Sequence, residues 1–163
     1  MEKTHKRVQF SKKLFKTFYE SVYPSAGPRY GNKLAVIFRP QIQPWHPSST
    51  LTHEAAIAVL LKAPEKFWDF SAKLFDHQTE FFDVNVVNET RNETYRRLCK
   101  LAGELGLNQD ELFESLKIAD KAAADGSLNS GNKVTNDVKY MTKVRKHPLH
   151  ESKLLLRYQP NLS

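Results

Sequence analysis

Between Ser48 and Gly126 apolar residues return every three or four positions, and the breaks fall where helices start and stop. The stretch SSTLTHEAAIAVLLK opens with hydroxyl residues suited to capping and then turns apolar nearly all round, which predicts a buried helix. Pro64 stands where a first helical turn tolerates proline, ahead of Phe67, Phe70, Ser71 and Leu74 at helical spacing. Thr90 and Glu93 have the spacing of a capping box before Tyr95, Leu98, Ala102 and Leu105, and Gly106 is a natural stop. Asn108 and Glu111 repeat the pattern before Leu112, Leu116, Ala119 and Ala123. A further helix is predicted from Val134, Val138 and Met141 to the neighbourhood of His147-Pro148.

Upstream the signals are mixed. Phe10, Leu14, Phe15, Phe18, Tyr19 and Val22 predict an amphipathic helix with Lys12, Lys13 and Lys16 on its wet side, ended by Pro24, Gly27 and Pro28. Leu34–Phe38 is a short Val/Ile-containing run between Gly31 and Pro40, which predicts a buried strand. Three prolines in PQIQPWHP, residues 40–47, exclude regular structure there. A lone strand needs a ladder partner, and the tail LLLRY (Leu154–Tyr158) is the candidate.

Charge and chemistry narrow the function classes. The net charge of +7 is segregated: residues 1–64 carry ten Lys/Arg against three Asp/Glu, 65–125 eight against thirteen, and 126–163 seven against two. Such asymmetry suits a nucleic-acid surface using Lys12, Lys13, Lys16, Lys139, Lys143, Arg145 and Lys146, or simply basic flanks around an acidic middle. No apolar run reaches the roughly 18 residues of a membrane span, and MEKTHKRVQF has no apolar core of a signal peptide, so no membrane is expected and the default location is cytoplasmic. Cys99 is the single cysteine, which excludes an internal disulfide and a CxxC pair, and its place beside Leu98 predicts a buried, inert thiol. His53-Glu54 lacks a second histidine at Ile57, so the pair is read as first-turn helix chemistry, and no metal site is expected, His147 and His150 included. Asn88-Glu89-Thr90 and Asn92-Glu93-Thr94 are formal glycosylation sequons, read here as helix-start residues.

The stretch LAVIFRPQIQPWHPSSTLTHEAAIAVLL, followed by FWDFSAKLFDHQTEFF, resembles the thioredoxin-like proteins of the DsbA family. The resemblance implies an α/β fold: one thioredoxin-like domain over 1–163, a dominant helical insertion at about 50–125, a divergent tail at 147–163 and an incomplete sheet. It further implies ancestry among thiol–disulfide oxidoreductases. Where the family places its Cys-Pro-Xaa-Cys motif this chain reads Val8-Gln9-Phe10-Ser11, so Ser11 stands at a vestigial motif position and the protein is expected to be redox-inactive. The tail lacks the family's cis-proline setting, which suggests a trimmed or frame-shifted domain. The expected residual function is binding of an extended peptide or protein client beside Trp45 and His46, without a cofactor; the alternative for PWHP is a rigid linker whose indole packs on the sheet. A glutathione-dependent isomerase or transferase using Ser11, and the basic nucleic-acid module, are the rival readings.

Overall fold

The computed structural model of the protein describes residues 11–34, 41–121 and 131–138, and the chain divides into two compact units, 1–39 with 149–163 and 40–148. Every regular element among the described residues is helical, and none is a strand. The α/β thioredoxin-like fold of the DsbA type is therefore overturned, and with it the description of the chain as an oxidoreductase-like truncated domain. The physical reason is that a sheet needs laddered backbone pairs, whereas these helices satisfy their own backbone and bury their apolar faces on each other. Leu34 does carry extended torsions (φ −104°, ψ 119°), but it is surface-exposed and closes a single 3-10 turn, Gly31–Lys33. The remainder of the expected Leu34–Phe38 strand and the tail Leu154–Tyr158 lie outside the described residues.

In the first unit, helix α1 covers 11–17 and passes through a π-helical turn, Phe18–Val22, into α2, Tyr23–Tyr30. The expected stop at Pro24, Gly27 and Pro28 does not occur. Proline breaks a helix by losing its donor and by pressing its ring on the carbonyl four residues back. Here the Tyr23 N–H donates to Phe18 O, five residues back, so the helix widens just before Pro24 and the ring enters at the start of α2. The Ser25 hydroxyl donates to Ser21 O at 2.7 Å across the same turn. The helix ends at Gly31, whose φ of +51° lies in the region that favours glycine.

The second unit is built around α3, Pro47–Lys62. Ala55, Ile57, Ala58 and Val59 are at most 1% exposed, so the helix that reads apolar all round is wrapped all round. Helices α4 (Phe67–Asp76), α6 (Arg91–Gly103) and α7 (Gln109–Leu116) pack against it, and a short α5 (Asp83–Val86) touches it too. Phe67, Phe70, Tyr95, Leu98, Leu112 and Leu116 are fully buried, each large apolar side chain contributing about 1.5–3 kcal/mol relative to exposure. The Thr90 box forms in full: its hydroxyl accepts from Glu93 N at 3.2 Å, and its own N–H donates to Glu93 Oε2 at 2.6 Å. Asn108 Oδ1 accepts from Asp110 N and Glu111 N, both at 3.1 Å, while the Glu111 carboxylate turns to Lys62 on α3 instead of completing a second box.

Helix α7 stops at Leu116 rather than running on to Ala123. At Lys117 the backbone becomes extended (ψ 144°), and Ile118 finds a different partner. Its N–H donates to Asn92 Oδ1 at 2.9 Å while Asn92 Nδ2 donates to Ile118 O at 2.9 Å, so one carboxamide serves both backbone groups of a single residue. Past this point, residues 131–138 return to the unit and bury Val134 (2% exposed) and Val138 (6% exposed). The expected helix beyond Val138, and Ala123, lie outside the described residues.

Candidate functional site

Trp45 and His46 occupy the turn that leads into α3. His46 N–H donates to Gln43 O (3.1 Å), Gln43 N–H donates to the Ser49 hydroxyl (2.9 Å), and Ser49 N–H donates to His46 O (3.0 Å). These bonds fix the backbone of a segment that its prolines keep out of regular structure. The His46 Nδ1 lies 2.7 Å from Asp83 Oδ2, tying the turn to the start of α5. The indole of Trp45 is 67% exposed, so the expected packing of this side chain on a sheet does not occur. Next along the chain from Asp83, Val84 is 74% exposed, and Val87 after the same short helix is 73% exposed.

The platform under α5 is held from below. Arg97 on α6 donates to Glu80 O at 3.1 Å, pairs with the Glu89 carboxylate, and stacks its guanidinium 4.9 Å from the centre of the buried Phe81 ring. Asn85 Nδ2 donates to Thr79 O at 2.6 Å across the turn. Two segments are thus pinned at their bases while Trp45, Val84 and Val87 present large apolar groups to solvent. Exposed aromatic side chains on a rigid backbone carry interaction energy at little cost in conformational entropy.

A second constellation lies within the core of the same unit. Glu54, 1% exposed, accepts from Arg91 Nη2 (3.2 and 3.0 Å to its two oxygens), from the Tyr95 hydroxyl, and from Thr135 Oγ1 (3.3 Å). The Tyr95 oxygen in turn accepts from Arg91 Nε (2.8 Å) and Asn132 Nδ2 (3.1 Å). The phenol therefore gives its one hydrogen and fills both lone pairs, and burial followed by the Glu54 carboxylate holds its pKa well above the ordinary value. Such a saturated carboxylate has no lone pair aimed at a substrate, so the cluster binds elements of the fold rather than acting as an acid or base. Its members were not legible as a group: Arg91 is 37 positions and Thr135 81 positions from Glu54. The one available signal was a glutamate inside an otherwise apolar helical run.

The first-turn reading of His53-Glu54 is corrected, since α3 begins at Pro47 and both residues lie a turn further in. His53 Nδ1 sits 2.6 Å from Ser49 O, and burial lowers its pKa against that hydrogen bond. Cys99 is buried on α6, and burial pushes its thiol up to about 12, which keeps it protonated and unreactive at neutral pH. Ser11 lies on α1 in the first unit and is exposed, as is Lys13, while Lys12 and Lys16 are half-buried and Lys16 Nζ lies 3.8 Å from Glu20. Lys139, Lys143, Arg145 and Lys146 lie outside the described residues. Among the described residues no three His, Cys, Asp or Glu side chains cluster as metal ligands, and no helix is long and apolar enough to cross a membrane. No family model, curated protein or solved structure matches the chain.

Proposed function

We propose that the second unit is a peptide- or protein-binding module and that Trp45 is its anchor, with His46 positioning the turn that carries it. The observation that supports this reading most directly is an indole 67% exposed on a backbone closed by three hydrogen bonds. Val84 and Val87 extend the apolar surface, and the His46–Asp83 pair couples the two segments. An extended peptide client fits because the turn and α5 offer exposed apolar projections at Trp45, Val84 and Val87. The protonated thiol of Cys99 and the saturated Glu54 cluster favour binding over catalysis as the role of the unit.

An immobilised array of extended peptides, probed with the full chain and with Trp45→Ala, tests the reading. Selected peptides should bind the wild type and lose about tenfold or more with the variant, the effect expected of an aromatic anchor worth at least about 1.4 kcal/mol. Trp68 is only 3% exposed, so iodide quenching of tryptophan emission reports chiefly on Trp45, and a bound peptide should protect it. Peptides that bind wild type and Trp45→Ala equally, with quenching unchanged, remove Trp45 from the role.

A further inference from the structure

Around its exposed apolar groups the second unit carries the charge opposite to that of the whole chain. Segments 40–50 and 76–90, which hold Trp45, Val84 and Val87, contain four carboxylates (Asp76, Glu80, Asp83 and Glu89) and no lysine or arginine, in a chain that has 25. Arg97 reaches Glu89 and Glu80 from α6. Asp83 is exposed: its Oδ2 meets His46 Nδ1 at 2.7 Å, and its Oδ1 has no hydrogen-bond partner among the described residues. His46 follows Trp45 and Asp83 precedes Val84, so this one contact brings a carboxylate to the base of both apolar projections.

A second observation concerns the aromatic faces. Each of the four arginines among the described residues lies over a ring: Arg29 over Tyr30 (5.4 Å to the centroid), Arg91 over Tyr95 (5.5 Å), Arg96 over Phe113 (4.0 Å) and Arg97 over Phe81 (4.9 Å). An indole attracts a cation more strongly than a phenol or phenyl ring does. Yet the indole of Trp45, 67% exposed, has no cation over it among the described residues. A guanidinium is planar, so it can stack on an indole while the N–H groups at its edge donate to a carboxylate; a compact ammonium does one or the other. The carboxylates and the uncovered indole face are separate features, and both call for a cation brought by the partner.

We infer, resting on the reading of Trp45 as the anchor of the second unit, that its client is an arginine-bearing extended peptide whose guanidinium stacks on the Trp45 indole and donates to the Asp83 carboxylate. Apolar side chains of the same peptide meet Val84 and Val87. His46 holds Asp83 through Oδ2 and leaves Oδ1 to the incoming donor. Glu80 and Asp76 add a negative field that favours a cationic client and disfavours an acidic one.

The test probes the full chain, Trp45→Leu, Trp45→Ala and Asp83→Asn with an array of valine-rich extended peptides, each made with arginine, lysine, citrulline or norleucine at one position. For the wild type, arginine should bind tighter than lysine, and citrulline and norleucine should each be about fivefold weaker than arginine or more. Raising salt from about 0.05 M to about 0.5 M should weaken the arginine peptides and spare the norleucine ones. Trp45→Leu keeps an apolar side chain at an exposed position without the π face, so it should lose the preference for arginine over norleucine. Asp83→Asn keeps an oxygen for His46 and should lose the salt dependence. Norleucine peptides that bind the wild type as tightly as arginine ones, and are lost with Trp45→Ala, overturn the arginine while Trp45 stands as an apolar anchor; binding that Trp45→Ala leaves unchanged overturns both. Lysine equal to arginine overturns the stacked guanidinium, and an unchanged Asp83→Asn overturns its carboxylate partner. Protection of Trp45 from iodide that grows with protein concentration in the absence of peptide would assign the site to a second copy of the chain and overturn the peptide as occupant.

Discussion

Replacing Tyr95 by phenylalanine withdraws one oxygen from the core and leaves its volume almost unchanged, so the measured effect is polar rather than a cavity. Three groups lose a partner: Glu54 Oε2, Arg91 Nε and Asn132 Nδ2. They do not weigh equally. The Arg91 side chain is 40% exposed and water can replace the phenol, while Asn132 Nδ2 retains Leu116 O. Glu54 at 1% exposed has no such recourse, and a hydrogen bond to a charged buried group is worth about 1.5–3 kcal/mol. Adding a few tenths for the other two gives a loss of about 2–3 kcal/mol. In urea unfolding, with a slope of about 1–3 kcal/mol per molar for a small domain, the midpoint should fall by about 1 M or more at unchanged slope. Glu54→Gln in the same background should be non-additive by about 1 kcal/mol or more, because both changes cut the same bond. A loss under about 0.5 kcal/mol, the range of an indifferent surface substitution, with no coupling to Glu54→Gln would refute the weight placed on this cluster.

Three further outcomes follow from the local geometry. Thr90→Ala removes the side-chain half of the α6 capping box and should cost about 1 kcal/mol, read as a fall in Tm, while Thr90→Ser should recover most of it. His53 has a depressed pKa in the fold, so the unfolded chain takes up its proton first; stability present above the ordinary histidine value of about 6.5 should decline as pH falls below it, and His53→Gln should flatten Tm between pH 7.5 and pH 5.5. Cys99 should react with an aromatic disulfide reagent only when the chain is unfolded in urea, and rapid labelling of the native protein at pH 7.5 would show that the thiol is neither buried nor raised in pKa.

What the sequence made legible was local. Thr90 with Glu93, Asn108, Pro64 and Gly106 mark boundaries because their chemistry acts within a turn of their own position, and Gly106 does take a φ of +84°. The apolar run from Ala55 to Leu60 likewise predicted its own burial. What escaped depended on distant partners or on a helix departing from its regular period. Pro24 promised an end that one widened turn at Phe18–Val22 postpones, Pro28 lies inside α2 all the same, and the end of α7 is decided by Asn92, 26 positions before Ile118. The strand expected at Leu34–Phe38 rested on a short Val/Ile-containing run between Gly31 and Pro40, and of it only Leu34 lies among the described residues, extended but closing a 3-10 turn. The exposure of Trp45 depends on tertiary packing that no local rule encodes.

The carboxamide of Asn92 has a consequence for sugar attachment. Its nitrogen donates to Ile118 O and its oxygen accepts from Ile118 N–H, so turning the amide over would set donor against donor and acceptor against acceptor. A glycan linked to that nitrogen would have to leave from a half-buried position in the first turn of α6 while preserving both bonds, and Thr94, the hydroxyl residue of the same sequon, is only 2% exposed. Asn88 stands four residues earlier in an exposed turn. Of two sequons that look alike on paper, the fold accommodates a sugar at the first and closes around the second.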